Sequence, residues 1–180
     1  MSQTIYHAAS IARALQDVTS QLTSLFEQRS DDQFTAGPLD GSAAWSSGQH
    51  LGHLVVSIAA VNQAFKVPKM ALRLTFGKPN RPGRDYDQVV QRYQERLSAG
   101  GRASGRYDPN PIPAKKRPKL IEKLRNEGQN LAKNCQKWKE EDLDRYLVPH
   151  PLLGKMTIRE VLFFTVYHNR HHLKSLQERY

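Results

Sequence analysis

Apolar residues recur at three- and four-residue intervals in four long stretches of the chain, and each stretch reads as one amphipathic helix. The last is the clearest. It runs from Thr157 to about Arg179, and Thr157 and Glu160 form a T-x-x-E capping box at its start. At about 100° per residue, Ile158, Val161, Leu162, Thr165, Val166, Leu173 and Leu176 fall on one side, which should face a core. A first helix is expected from about Thr4 to Arg29, with Ile11, Leu15, Val18, Leu22 and Leu25 as its stripe. The second begins at Trp45-Ser46. Ser46 and Gln49 make an S-x-x-Q capping box, Trp45 stands as a hydrophobic staple, and Leu51, Leu54, Val55, Ile58, Val61 and Phe65 form the buried face. Another helix opens at Pro118, a favourable first-turn residue, and turns Leu120, Ile121, Leu124, Asn130 or Leu131, Cys135 and Trp138 inward.

The segments between these stretches are read from their punctuation. Ser30 to Ala44 is polar, carries Gly37, Pro38 and Gly41, and reads as a loop. From Val67 onward Pro68, Gly77, Pro79, Pro82 and Gly83 break the pattern, yet Asp85 to Leu97 reads as a shorter helix through Val89, Val90, Tyr93 and Leu97. Ser98 to Pro118 holds too much Gly and Pro for a regular element; it is a long crossing connection bearing Arg102, Arg106, Lys115, Lys116 and Arg117. After Trp138 comes an acidic patch, Glu140 to Asp144, and then a loop, VPHPLLGKM, with Leu152 and Leu153 tucked against the rest. The economical fold is all-α: a four-helix bundle with a long crossover connection between the second and third main helices. A length of 180 residues suits one domain spanning 1–180.

Composition narrows the chemistry. The formal charge of +10, from 27 Lys+Arg against 17 Asp+Glu, can attract nucleic acid, anionic lipid or an anionic small molecule. Neither a helix-turn-helix nor an interleaving of aromatic and basic residues is visible, so nucleic-acid association is the weaker alternative. The one cysteine, Cys135, excludes a disulfide framework and a cysteine-based zinc cluster. The start, MSQTIYHAAS, lacks the pattern of a secretory signal, and the longest apolar run, Leu54 to Val61, is too short to span a membrane. A cytoplasmic protein without membrane attachment is the expectation.

The candidate chemistry lies in histidines. His168 and His172 stand four apart on the last helix, so their rings share a side and make half of a metal site. Such a pair needs a third ligand from elsewhere. His50 and His53 lie on the first turns of the second helix, and by helical phase His50 is nearer the centre of the apolar stripe. His171 points away from the core side. His150, between Pro149 and Pro151, has an extended backbone and either reaches the mouth of a site or decorates the loop.

The segment Trp45-Ser46-Ser47-Gly48-Gln49-His50-Leu51-Gly52-His53-Leu54 resembles the W-S-x-x-[EQ]-x-L-x-H-L opening of the second helix in the DinB-like (YfiT-like) metalloprotein superfamily. The run from His150 to Thr157, followed by Tyr167 to Leu173, is similar to that family's H-P-x-x-G-x-x-T and H-x3-H-L ending. The resemblance implies a four-helix bundle with a divalent metal on three histidines, which by position are His53, His168 and His172. It leaves His50, His150 and Arg170 as neighbours of the site. Zinc and nickel are the first candidates by ligand type, and iron and manganese also accept imidazole. A three-imidazole site leaves a position open for water or a thiol, so no side chain is assigned as nucleophile. Relatives include thiol-dependent transferases and isomerases, which implies a low-molecular-weight anionic thiol such as glutathione or bacillithiol as cosubstrate, with Arg170, Lys174, Arg159 and Lys155 as a basic rim. A metal-dependent hydrolase is the alternative, and a metal held only for stability is a third reading. The expected partners are the metal ion and a small anionic substrate, with a second copy of the chain left open.

Overall fold

The computed structural model describes residues 6–42 and 44–180, so Thr4 and Ile5, where the first helix was expected to begin, lie outside the described residues. The fold is an all-α four-helix bundle. Its main helices are α1 (Ala8–Gln28), α3 (Ser47–Lys66), α6 (Arg117–Lys137) and α8 (Ile158–Arg179). Shorter helices, α2 (Asp31–Thr35), α4 (Lys69–Phe76), α5 (Tyr86–Ser98) and α7 (Glu140–Arg145), lie between them, and one hairpin, β1 (Leu147–His150) with β2 (Gly154–Thr157), precedes α8. The hairpin is antiparallel, with His150 opposite Gly154. Among the described residues, no helix is long and apolar enough to cross a membrane.

α1 packs against α6 and α8, and α3 packs against the same two helices. The first and second main helices therefore face each other across the diagonal of the bundle. Plain up-and-down order would make them neighbours, so it is the step from α1 to α3 that crosses the diagonal, while the long connection expected to cross over joins α3 and α6, which pack side by side. α8 is buried almost all round, because α1, α3, α5 and α7 all pack on it. Its Phe163 and Leu162 meet a core that also holds Phe26, Leu22, Leu54, Ile58, Leu124 and Leu131. Each such side chain contributes about 1.5–3 kcal/mol by leaving water.

Several elements were not foreseen, α7 among them, where only an acidic patch was expected. α4 buries only Leu72 and leaves Met70 and Leu74 exposed, so no stripe announces it. α2 buries only Phe34, inside a segment read as a loop. The hairpin hides behind Pro149 and Pro151 and turns at Gly154, whose φ of +74° is a glycine conformation. The long connection between α3 and α6 bears the expected basic run and is well anchored. Trp45 Nε1 donates to Asp108 Oδ1 (3.0 Å), Gln49 Nε2 donates to the Pro109 carbonyl (2.8 Å), and Ile112 sits on Gly52. A Cβ at Gly52 would stand 2.5 Å from Ile112 Cδ1, so a glycine inside α3 makes room for the connection.

The capping box of α8 belongs to a larger knot. Glu160 is 0% exposed and accepts from the backbone N–H of Thr157 (3.1 Å) and of Arg84 (2.7 Å) and from both terminal nitrogens of Arg81 (2.6 and 2.9 Å). Burial alone would raise its carboxyl pKa. The Arg81 hydrogen bonds and the two amides outweigh that, and the net shift is downward. A depressed carboxyl stabilises the fold above its unfolded pKa and loses that contribution as pH falls through the folded value. Glu160→Ala strands the Arg81 guanidinium and two amides, and it should cost about 3 kcal/mol of unfolding free energy, measured by urea titration at pH 7.5. A loss below about 1 kcal/mol would mean that water replaces the carboxylate freely.

Candidate metal centre

The capping box at Ser46 fixes where α3 starts, and the one at Thr157 fixes α8, so the histidines on both helices are held at set heights in the bundle. His53 of α3 meets His168 and His172 of α8, and their ligand-capable nitrogens all lie within 4.8 Å of one another. His53 Nε2 is 2.9 Å from His168 Nε2, which is 3.1 Å from His172 Nε2. All three side chains are buried.

Protonation follows from the surroundings. His53 Nδ1 lies 2.6 Å from the Tyr107 carbonyl, which can only accept, so Nδ1 carries the proton and Nε2 a lone pair. Burial holds the His53 pKa below its ordinary value, against the raising effects of the Tyr107 carbonyl and Asp108. Burial, with the neighbouring imidazoles, holds His168 and His172 well below 6.5. Near pH 7 the three rings are neutral, the form that coordinates a metal. Three Nε2 atoms converge, and the one proton that His168 can bring still leaves lone pairs in the cluster, which a cation would accept. No carboxylate or thiolate belongs to the set, so a bound ion would keep its charge.

His50 is brought in as well, one hydrogen bond farther out. Its Nδ1 is 2.8 Å from His172 Nδ1 and its Nε2 is 3.2 Å from the Tyr180 hydroxyl. Burial, reinforced by nearby positive charges, lowers its pKa to about 4. Phase could not separate His50 from His53 because both are enclosed at the start of α3. His150 lines the adjoining cavity. Its Nδ1 accepts from the amides of Leu152 and Leu153 (3.2 Å each), its ring meets Phe164 edge-on (centroids 4.3 Å apart), and burial lowers its pKa to about 4. His171 is exposed and stacks on Tyr167.

Arg170 does not join the site. Two residues from both His168 and His172, it falls on the opposite, exposed side of α8. The other expected rim cations are also engaged elsewhere. Arg159 is buried against Glu140 and Asp144, Lys155 donates to the Phe76 carbonyl, and Lys174 lies by Glu178. Arg102, Arg106 and Arg179 line the cavity instead.

Several site residues escaped the sequence reading. Trp45 was read as a staple, yet its ring lies 4.9 Å from that of His53 and nearly parallel to that of His172 at 6.4 Å. Phe164 stacks on His168 at 5.1 Å. Tyr107 contributes only a carbonyl, which no side-chain motif can mark. Tyr180 had a signal: it lies eight residues, about two turns, beyond His172 on the same side of the helix. The cavity in front of the histidines measures about 1060 Å³, and its walls include Val61, Ala64, Leu72, Phe76 and Val148. Cys135 lies apart, with its Sγ directed at the Ala8 carbonyl, and burial pushes its thiol up to about 12.

A model of the DinB superfamily matches residues 14–176. Among solved structures, YfiT from Bacillus subtilis, described as a probable metal-dependent hydrolase with an unusual four-helix bundle topology, superposes with a TM-score of 0.61. The match covers 95% of this chain and 84% of that one at 20% identity, a likeness of fold. No curated protein matches the sequence.

Proposed function

The chain belongs to the DinB superfamily, and on that premise we propose that it is a metal-dependent enzyme whose His53, His168 and His172 hold one divalent ion. One observation carries the reading: three neutral imidazoles converge at the wall of a cavity of about 1060 Å³. When bound, zinc, nickel or a similar ion would lower the pKa of water or a thiol and polarise a substrate oxygen.

The protein's own groups have definite parts. The Tyr107 carbonyl orients His53 from behind, as ligand histidines usually require. Trp45 and Phe164 cover the rings and keep solvent from them. His150 accepts two amides at Nδ1 and is neutral, so its proton is on Nε2, where it can donate to a substrate oxygen. Cys135 is not the attacking group, because it lies apart from the cavity and burial holds its thiol protonated. The open position of a three-histidine ion would supply the attacking atom from solvent or a cosubstrate.

Hydrolysis is the reading favoured here, in keeping with the description of YfiT. Thiol-dependent transfer is the second reading, and a specific observation supports it. Arg102 and Arg106 line the cavity, and their hydrogen bonds go to carbonyls and to the Tyr107 hydroxyl rather than to carboxylates, which leaves their charge available to an anionic thiol. The two are separated by loading the protein with zinc, nickel, iron or manganese. Loaded protein is then offered p-nitrophenyl esters in water, or chloro-dinitrobenzene with glutathione or bacillithiol. Turnover of the ester that chelator abolishes supports hydrolysis. Transfer whose thiol KM rises several-fold in Arg102→Ala/Arg106→Ala supports the second reading. Stoichiometric metal with neither reaction above buffer, in a protein that unfolds on chelation, would make the metal structural.

A further inference from the structure

The nitrogen of His172 that faces away from the cluster starts a chain of hydrogen bonds whose proton count has a single solution. The Tyr180 hydroxyl donates its one proton to the Trp45 carbonyl, which can only accept. Toward His50 Nε2, 3.2 Å away, that hydroxyl can then only accept, so His50 Nε2 carries a proton. A neutral imidazole has one N–H, so His50 Nδ1 is a bare acceptor. It lies 2.8 Å from His172 Nδ1, and two lone pairs at that distance would repel, so His172 Nδ1 carries the proton. The remaining nitrogen, His172 Nε2, is left with a lone pair directed into the cluster, 3.1 Å from His168 Nε2.

We propose that His50 and Tyr180 are positioning residues that lock His172 in its Nδ1–H tautomer, with the Trp45 carbonyl as the fixed end of the relay. The inference rests on the metal-site reading for its purpose but not for its test. Tyr107 performs the same task for His53 with one carbonyl, so main-chain oxygens set the tautomers of two of the three rings. Run the other way, with His50 Nδ1 donating, the relay would put a proton on His172 Nε2 and close that nitrogen to a cation. The direction is set by Tyr180, whose ring stands edge-on to His50 at 5.5 Å.

The experiment is long-range 1H–15N correlation on metal-free protein, paired with metal affinity by chelator competition. In the parent protein His172 should show a protonated Nδ1 and an unprotonated Nε2. His50→Leu removes the acceptor. It should leave the helical circular dichroism intact, mix the His172 tautomers and weaken zinc binding about 10- to 100-fold. Tyr180→Phe should mix the tautomers of His50. His50→Gln, whose carbonyl oxygen can accept from His172 Nδ1–H, should restore the His172 signature and bring affinity within about threefold of the parent. An Nε2-protonated His172 in the parent, or a His50→Leu protein unchanged in both spectrum and affinity, overturns the proposal. A parent protein that shows these tautomers but takes up no metal upholds the relay and overturns the metal reading instead.

Discussion

Alanine at His53, His168 or His172 is expected to reduce bound metal from about one ion per chain to under about a tenth of that, measured by elemental analysis of untagged protein after dialysis. Three ligands are the fewest that hold a divalent ion well in a catalytic type of site, and no carboxylate stands within the cluster to replace a lost imidazole. The two control substitutions differ in kind. His171→Ala should change nothing, because that ring is exposed and stacks on Tyr167. His50→Ala should still load near one ion at saturating metal, since His50 reaches the cluster only through His172. If His50→Ala abolished loading while His53→Ala kept it, the third ligand would be His50.

Acid should undo the metal-free fold over a definite window. His50 and His150 are held at about 4 by burial, and His53, His168 and His172 are held below their ordinary value by the same cause. Above pH 6.5 these rings are neutral both folded and unfolded, so they add no pH dependence. Below it the unfolded chain takes up protons that the folded chain refuses, and stability falls until about pH 4. His150 alone accounts for about 3 kcal/mol across that interval. The clustered rings act in the same direction. A bound ion would leave in the same window, since protons compete for its ligands. Urea midpoints at pH 7.5, 5.5 and 4.5, with and without chelator, check this; a midpoint constant down to pH 4.5 would show that the rings are solvated.

The capping boxes that open α3 and α8 were legible because such a cap needs an oxygen-bearing side chain and a carboxyl or amide at fixed spacing, and both Ser46–Gln49 and Thr157–Glu160 form as read, while those at Ser30–Gln33 and Asp85–Gln88 were passed over. The same spacing logic brought His168 and His172 together. Choosing between His50 and His53 was beyond periodicity. From Ser46 to Val55 only Gln49 escapes full burial, so the start of α3 has no solvent face against which phase can be read. The family resemblance supplied that choice. α4 stayed hidden for the opposite reason, since its outward residues are as apolar as its inward one. The rim cations were placed by nearness in sequence, and helix geometry carried Arg170 to the far side while Asp144 and Glu140 claimed Arg159.

The carbonyl behind His53 has a consequence for how such a chain can diverge. Every residue type carries a main-chain oxygen, so the contact itself is indifferent to what occupies position 107. It is not indifferent to path. The segment is tied at Asp108 to Trp45, at Pro109 to Gln49 and at Ile112 to Gly52, within a few residues of that oxygen. One residue added or removed there would slide a different peptide group behind the imidazole. Position 107 can therefore drift in letter while the length of the stretch and its tying side chains, Asp108 and Ile112, stay fixed, the reverse of an ordinary surface loop.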